Sequence, residues 1–310
     1  MKKFTILFPG QGSQYINMGI NLYKKDKIFQ KILDDASKIL NWNIVDLLSD
    51  RNKLSHTKYA QILIFTISYA YYQKFINDYK IFPSIVAGHS LGEITALTVS
   101  GMISFNDALF ILKERGNLME KAANKTGGGM LAVDCEDSSI ILSACKEVEK
   151  KFNQYIDIAN YNSKSQYVLS GTSKSIELIT EYFQKRNIKN IKLNVNGAFH
   201  SKLMGEVSNE FRNYLLSFNY FHPEIKVISS VDNTIYTSKN VAEMLSNQIK
   251  APVKWNALIK QLIDDGIDCF IEVGPKKVLS NMLKKDYNNI QIISLEGLYK
   301  NDQNLWDYIK

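Results

Sequence analysis

The segment Gly88-His89-Ser90-Leu91-Gly92 constrains the fold of this chain more than any other five residues. An apolar run, Ile85-Val86-Ala87, leads into it, and a helix-forming stretch, Glu93-Ile94-Thr95-Ala96-Leu97, leads out. A G-x-S-x-G pattern between a buried strand and a helix reads as a nucleophile elbow. The glycines stand where two backbones crowd, and the serine hydroxyl is lifted above the sheet edge. The new helix also turns free N–H groups towards that hydroxyl, which makes the Leu91 N–H a candidate oxyanion donor. The spacing alone is moderately specific, and the flanking strand and helix supply the rest. Ser90 is the candidate nucleophile.

Short apolar runs alternate with helical periodicity along the rest of the chain, the pattern of an α/β protein. Strands are expected at residues 5–8, 84–87, 226–229, 269–272 and 290–294. Helices are expected at 27–40, 60–76, 93–99, 106–124, 206–218 and 253–265. Between them the order changes: strand 130–133, helix 138–151, strands 155–159 and 166–170, helix 175–186, strand 191–195. That β-α-β-β-α-β order is the split pattern of a ferredoxin-like unit. The expected organisation is a catalytic core of residues 1–127 and 197–310, with a ferredoxin-like subdomain of residues 128–196 inserted. Its boundaries are the Gly127-Gly128-Gly129 triplet and Asn196-Gly197. A length of 310 residues suits this, at about 150 residues per domain.

Lys+Arg outnumber Asp+Glu by 38 to 31, giving a net charge of +7 and a pI near 9.0. Such an excess admits nucleic acid, a membrane surface or an acidic partner. No base-reading motif and no anchor accompanies it, so neither nucleic acid nor membrane is expected. The longest apolar run, 62–72, is interrupted by Thr66 and Ser68 and is too short to cross a bilayer. Met1-Lys2-Lys3-Phe4 enters a strand at once, without the apolar core of a signal peptide. Cys135, Cys145 and Cys269 lack CxxC spacing, which argues against a disulfide framework or a zinc site. They read as small core residues in a cytoplasmic protein, expected to be a monomer without a metal. Only Arg51, Arg115, Arg186 and Arg212 are arginines, so each stands out.

A serine nucleophile needs a base, and the chain has four histidines. His89 adjoins Ser90 on a tight turn, where neighbouring side chains diverge. His56 and His222 fall in a polar loop and before Pro223. His200, in Gly197-Ala198-Phe199-His200-Ser201, lies where the inserted unit returns to the core, the kind of seam where clefts form. It is the candidate base. No aspartate stands out to orient it, which leaves a backbone carbonyl for that role. The first loop, Phe8-Pro9-Gly10-Gln11-Gly12-Ser13-Gln14, is not a dinucleotide loop, because Tyr15 takes the third glycine position, and no Gly-Lys-Ser/Thr follows for a P-loop. A Gly-flanked turn remains, with the Gln11 N–H as a second oxyanion donor.

Together these residues resemble the malonyl-CoA:acyl carrier protein transacylases, including the discrete, trans-acting acyltransferases of polyketide synthesis. The resemblance rests on Phe8–Gln14, on Gly88–Glu93, on Lys113-Glu114-Arg115-Gly116 and on Gly197–Ser201. Two later pieces, Gln248–Trp255 and Glu272–Leu279, extend it over essentially the whole chain. It implies an α/β-hydrolase-like core with the inserted ferredoxin-like subdomain. It also implies that Ser90 is acylated, that His200 acts as base and then acid, and that Gln11 and Leu91 form the oxyanion hole. The main-chain carbonyl of Gln248 would orient His200. Arg115 would grip the malonyl carboxylate, as a planar guanidinium can and Lys cannot. Phe199, His89 and Asn162 would line the substrate cleft, with Phe199 crowding an α-methyl group. Lys276 departs from the family, where many members carry Gly, and is expected away from the chemistry. The substrates implied are malonyl-CoA and an acyl carrier protein, with no cofactor, and the surplus of Lys suits both by steering. A carrier-protein thioester hydrolase and a non-catalytic docking module are the alternatives. Fatty-acid and polyketide pathways both stay open.

Overall fold

Phe4–Phe8 (β1) is buried at all five positions. The computed structural model, which describes residues 3–308, shows why. The following strands are Ile85–Gly88 (β2), Gly128–Asp134 (β3), Ile156–Tyr161 (β4), Gln166–Thr172 (β5), Lys189–Lys192 (β6), Lys226–Ile228 (β7), Cys269–Glu272 (β8) and Gln291–Ser294 (β9). β1 lies at the centre of a five-stranded parallel sheet in the order β7-β2-β1-β8-β9, with β2 and β8 as its neighbours. A central parallel strand is covered on both faces, so its residues are apolar without alternation. Phe4, Ile6 and Phe8 face the helices Lys27–Leu40, Thr57–Tyr79 and Phe105–Thr126, while Leu7 faces Trp255–Asp264 and Val278–Asp286.

The helix Thr57–Tyr79 is apolar around most of its circumference and runs through the core. Phe65 and Phe75 on it are fully buried. Each such side chain contributes about 1.5–3 kcal/mol, offset by the entropy of ordering it. Phe105–Thr126 crosses it at Gly116, where a Cβ would stand 2.6 Å from the Lys58 Cα. That close approach carries the neighbouring Arg115 into the interior.

The other four strands form an antiparallel sheet in the order β4-β5-β3-β6, with its own apolar core under the helices Ser138–Phe152 and Ser173–Gln184. This is the ferredoxin-like order. The fold is therefore an α/β core carrying a ferredoxin-like unit. Two details differ from the sequence expectation. β3 begins at Gly128, two residues before the expected 130, and Gly128 is pressed against Ala198. β6 lies earlier than the expected 191–195, and Leu193 and Val195 leave the sheet to pack on the main core. Their apolar character mimics a strand but serves a different contact.

The two sheets are stitched together where Val253 donates to the Ala159 carbonyl and accepts from the Tyr161 N–H, both at 2.8 Å. Sequence periodicity missed the short helices Val241–Gln248 and Val278–Asp286; the second lines the cleft described below, and the first ends at Gln248 behind it. Among the described residues no helix is long and apolar enough to cross a membrane.

Candidate active site

The loops that follow β1 and β2 emerge side by side, because Phe8 and Gly88 are in register at the strand ends. At the elbow the backbone leaves no room. A Cβ on Gly88 would fall 1.9 Å from the Gly92 carbonyl carbon, and one on Gly92 would fall 2.2 Å from the Phe8 oxygen. Ser90 is held at φ 54, a left-handed conformation that a residue with a Cβ rarely adopts. The surrounding structure over-determines it: the His89 N–H donates to the Phe8 carbonyl at 3.0 Å, and the helix Gly92–Val99 starts at once.

Ser90 Oγ lies 2.8 Å from His200 Nε2. His200 Nδ1 lies 2.8 Å from the carbonyl oxygen of Gln248. A carbonyl only accepts, so Nδ1 carries the proton and the Nε2 lone pair faces the serine. The backbone of His200 is also left-handed, at φ 56, and its N–H donates to the Ile249 carbonyl at 2.9 Å. Burial, and then the charge of Arg115, push the imidazole pKa down to about 3. The ring is neutral near pH 7 and free to accept a proton.

Arg115 is 1% exposed, an unusual place for a guanidinium. Nη1 donates to Gln61 Oε1 at 2.7 Å, and Nη2 donates to Gln248 Oε1 at 2.9 Å and to Ser90 Oγ at 3.2 Å. Nε is buried and without a partner among the described residues. Burial lowers the pKa to about 10, and the nearby Glu93 opposes that fall, so the charge persists at neutral pH. Glu93 is itself buried and accepts from the Ser230 N–H and hydroxyl and from the Tyr236 hydroxyl. Gln248 is used three times: its carbonyl holds His200, its Oε1 holds Arg115, and its Nε2 donates to the Ser90 carbonyl at 3.0 Å.

These groups open on a cleft of about 380 Å³ between the two sheets. Gln11, His89, Ser90, Leu91, Arg115, Asn162, Phe199 and His200 all line it. Gln248 stands behind them, as its backbone role requires. His89 turns away from Ser90: its Nε2 meets Asn162 Oδ1 at 2.9 Å and its ring packs edge-on to Trp255. Phe199 fits because Gly197 has no side chain, where a Cβ would meet the ring at 2.5 Å. His56 pairs with Glu120 on the surface, and His222 is exposed. Lys276 is closer to the cleft than expected, since its ammonium donates to the carbonyl of Gly12, which lines it.

Sequence reasoning did not find Gln61, the Gln248 side chain or Glu93. Gln61 gives no signal inside an apolar helix except that a buried amide there needs a partner. The subdomain's share of the wall, including Met130, Asn160 and Val168, is likewise set by packing. Among the described residues no cluster of His, Cys, Asp and Glu is arranged to hold a metal. Cys145 is a buried free thiol, and Cys269 is buried in β8.

A half-buried serine on a strand-to-helix elbow, bonded to a buried histidine and beside a buried arginine, is a site built for acyl transfer. Comparison with known proteins agrees. The acyl transferase domain family matches residues 5–308, and the chain belongs to that family of acyltransferases. It is 35% identical to the malonyl CoA-acyl carrier protein transacylase of Bacillus subtilis, over 95% of this chain and 94% of that protein. It is 36% identical to the polyketide biosynthesis malonyl CoA-acyl carrier protein transacylase PksC of the same species, over 91% and 97%. The acyl-carrier-protein S-malonyltransferase of Burkholderia pseudomallei superposes with a TM-score of 0.90 at 32% identity, covering 96% of this chain and 99% of that one.

Proposed function

We propose that the protein transfers a malonyl group from malonyl-CoA to the phosphopantetheine thiol of an acyl carrier protein, through a malonyl ester on Ser90. The observation that carries this reading is the Arg115 guanidinium within 3.2 Å of Ser90 Oγ. A fixed positive charge beside the nucleophile recognises an acyl group that ends in a carboxylate. The unpartnered Nε adds an unused donor to that charge.

In the first half-reaction Ser90 Oγ gives its proton to His200 Nε2 and bonds to the thioester carbon. The oxyanion rests on the N–H groups of Gln11 and Leu91, which border the cleft at the end of β1 and at the elbow. The carbon–sulfur bond then breaks, and His200 returns the proton to the CoA thiolate. In the second half-reaction the carrier's thiol gives its proton to His200, attacks the ester, and leaves with the malonyl group as Ser90 recovers its proton. The Gln248 carbonyl holds the His200 tautomer through both halves. The chain's own groups fill each role, so the reaction needs no cofactor. Phe199 lines the same cleft, and its ring beside the acyl group would crowd an α-methyl, which favours malonyl over branched units. The net charge of +7 steers two negatively charged substrates. A monomer in the cytoplasm, serving fatty-acid or polyketide synthesis, completes the reading.

Intact-protein mass spectrometry after mixing with malonyl-CoA tests it. The expected result is a malonyl adduct that persists until a phosphopantetheinylated carrier protein removes it. Rapid release of free malonate would show a hydrolase, and no adduct at all would show a docking module.

A further inference from the structure

Gln11 stands between two glycines that are held in different ways. At Gly10 the packing is tight, since a Cβ would fall 2.5 Å from the His89 carbonyl oxygen. At Gly12 nothing lies within 4 Å of that place, and φ is +104, so packing does not hold the residue. Hydrogen bonds do. The Gly12 N–H donates to Gln14 Oε1 at 2.7 Å, and its carbonyl accepts from Lys276 Nζ at 3.1 Å.

Lys276 adopts an unfavourable conformation in reaching it. Its φ is +64, in the left-handed region that L side chains rarely occupy. The position is over-determined, with the Lys276 N–H donating to the buried Glu296 carboxylate at 2.8 Å and its carbonyl accepting from Ser294 Oγ at 3.3 Å. Two residues earlier, Gly274 lies against Pro9, where a Cβ would stand 2.6 Å from the proline ring. The segment 274–276 thus grips the loop after β1 at both ends, at Pro9 and at Gly12. Strain that the rest of the fold maintains points to a role for the residue that bears it.

We infer that Lys276 is a positioning residue: its ammonium pins the Gly12 carbonyl and so keeps the Gln11 N–H aimed into the cleft. The kinetic part of this inference rests on the acyl-transfer reading above; the structural part does not. Lys276→Met removes the ammonium and keeps the stem and the left-handed backbone. Lys276→Arg restores a charged donor. Lys276→Gly removes the ammonium and relieves the backbone together.

For Lys276→Met, kcat for malonyl transfer is expected to fall about tenfold with KM little changed, short of the roughly 10²–10³-fold cost of losing an oxyanion donor outright. Amide exchange at Gln11 and Gly12 should quicken in the same variant. Lys276→Arg should recover most of the rate. Lys276→Gly should be as heat-stable as the parent, or more so, and still as slow as Lys276→Met, a combination that a purely structural role does not produce. Parental kcat in Lys276→Gly, or unchanged exchange in Lys276→Met, would overturn the inference. If the parent protein forms no malonyl ester, the acyl-transfer reading fails, and the exchange measurement still decides whether Lys276 holds the loop.

Discussion

The elbow and the arginine pocket meet at one oxygen, Ser90 Oγ, yet they are built in opposite ways. Residues 88–92 form the elbow from a single short stretch, and its shape follows from two glycines whose absent side chains would clash with backbone. The arginine pocket joins Gln61, Arg115 and Gln248 from three helices or their ends. A site made of local backbone sterics admits no partial version, whereas one made of separate anchors degrades by steps. The difference is open to measurement.

The largest effect is expected at the elbow. Ser90→Ala should abolish the acyl-enzyme and lower transfer by about 10⁴-fold or more, as for other nucleophile knockouts. An adduct that survives the substitution would remove Ser90 from the chemistry. Next, Arg115→Ala should lower kcat/KM for malonyl-CoA by roughly 10²-fold, about 2.7 kcal/mol, while acetyl-CoA changes far less. Equal losses on both substrates would mean that Arg115 supports the fold or Ser90 rather than the carboxylate.

Gly116→Ala sharpens the contrast. The added methyl would push the Arg115 helix off Lys58, at a cost of about 1–3 kcal/mol in denaturant unfolding. The malonyl KM should rise several-fold, with the acyl-enzyme still formed. A complete loss of acylation in a folded variant would show the pocket to be as indivisible as the elbow.

The smallest effect is a displacement in pH. To act as the proposed base His200 must be neutral, and its pKa is depressed to about 3 from the ordinary imidazole value of 6.5, so kcat/KM should not fall as pH drops through 6.5. Burial is the larger cause and the charge of Arg115 the second. Arg115→Gln should therefore move the acidic limb to higher pH. An acidic limb near 6.5 in the parent would place His200 in water, and an unmoved limb in the variant would uncouple the two regions.

Much of this was legible in advance, for identifiable reasons. Lys27–Leu40 carries its apolar residues on one face and is capped by Asp26, and β8 opens with three apolar residues, Cys269–Ile271, before the buried Glu272; both lie where the sequence pattern puts them. The helix Thr57–Tyr79 extends three residues beyond expectation at each end, since caps and fraying rather than periodicity set termini. β6 was misplaced because Leu193 and Val195 look like strand residues and act as cleft and core residues. Ser90, His200, Arg115 and Gln11 could be picked out from motifs, and the structure brings them to one cleft. Gln61 could not, because one polar residue in an apolar helix has no meaning until its partner is known.

The amino-acid sequence by itself determined the elbow, the alternation of two sheet types and the rarity that singles out Arg115. Each depends on residues a few positions apart, where sterics and periodicity act directly. The tertiary structure alone decided that His89 turns to Asn162, that the Gln248 side chain joins arginine to the serine backbone, and that Lys276 reaches Gly12. Those contacts span 73, 133, 158 and 264 residues. No local pattern encodes such pairings, because they form only when packing of the whole core brings the two ends together.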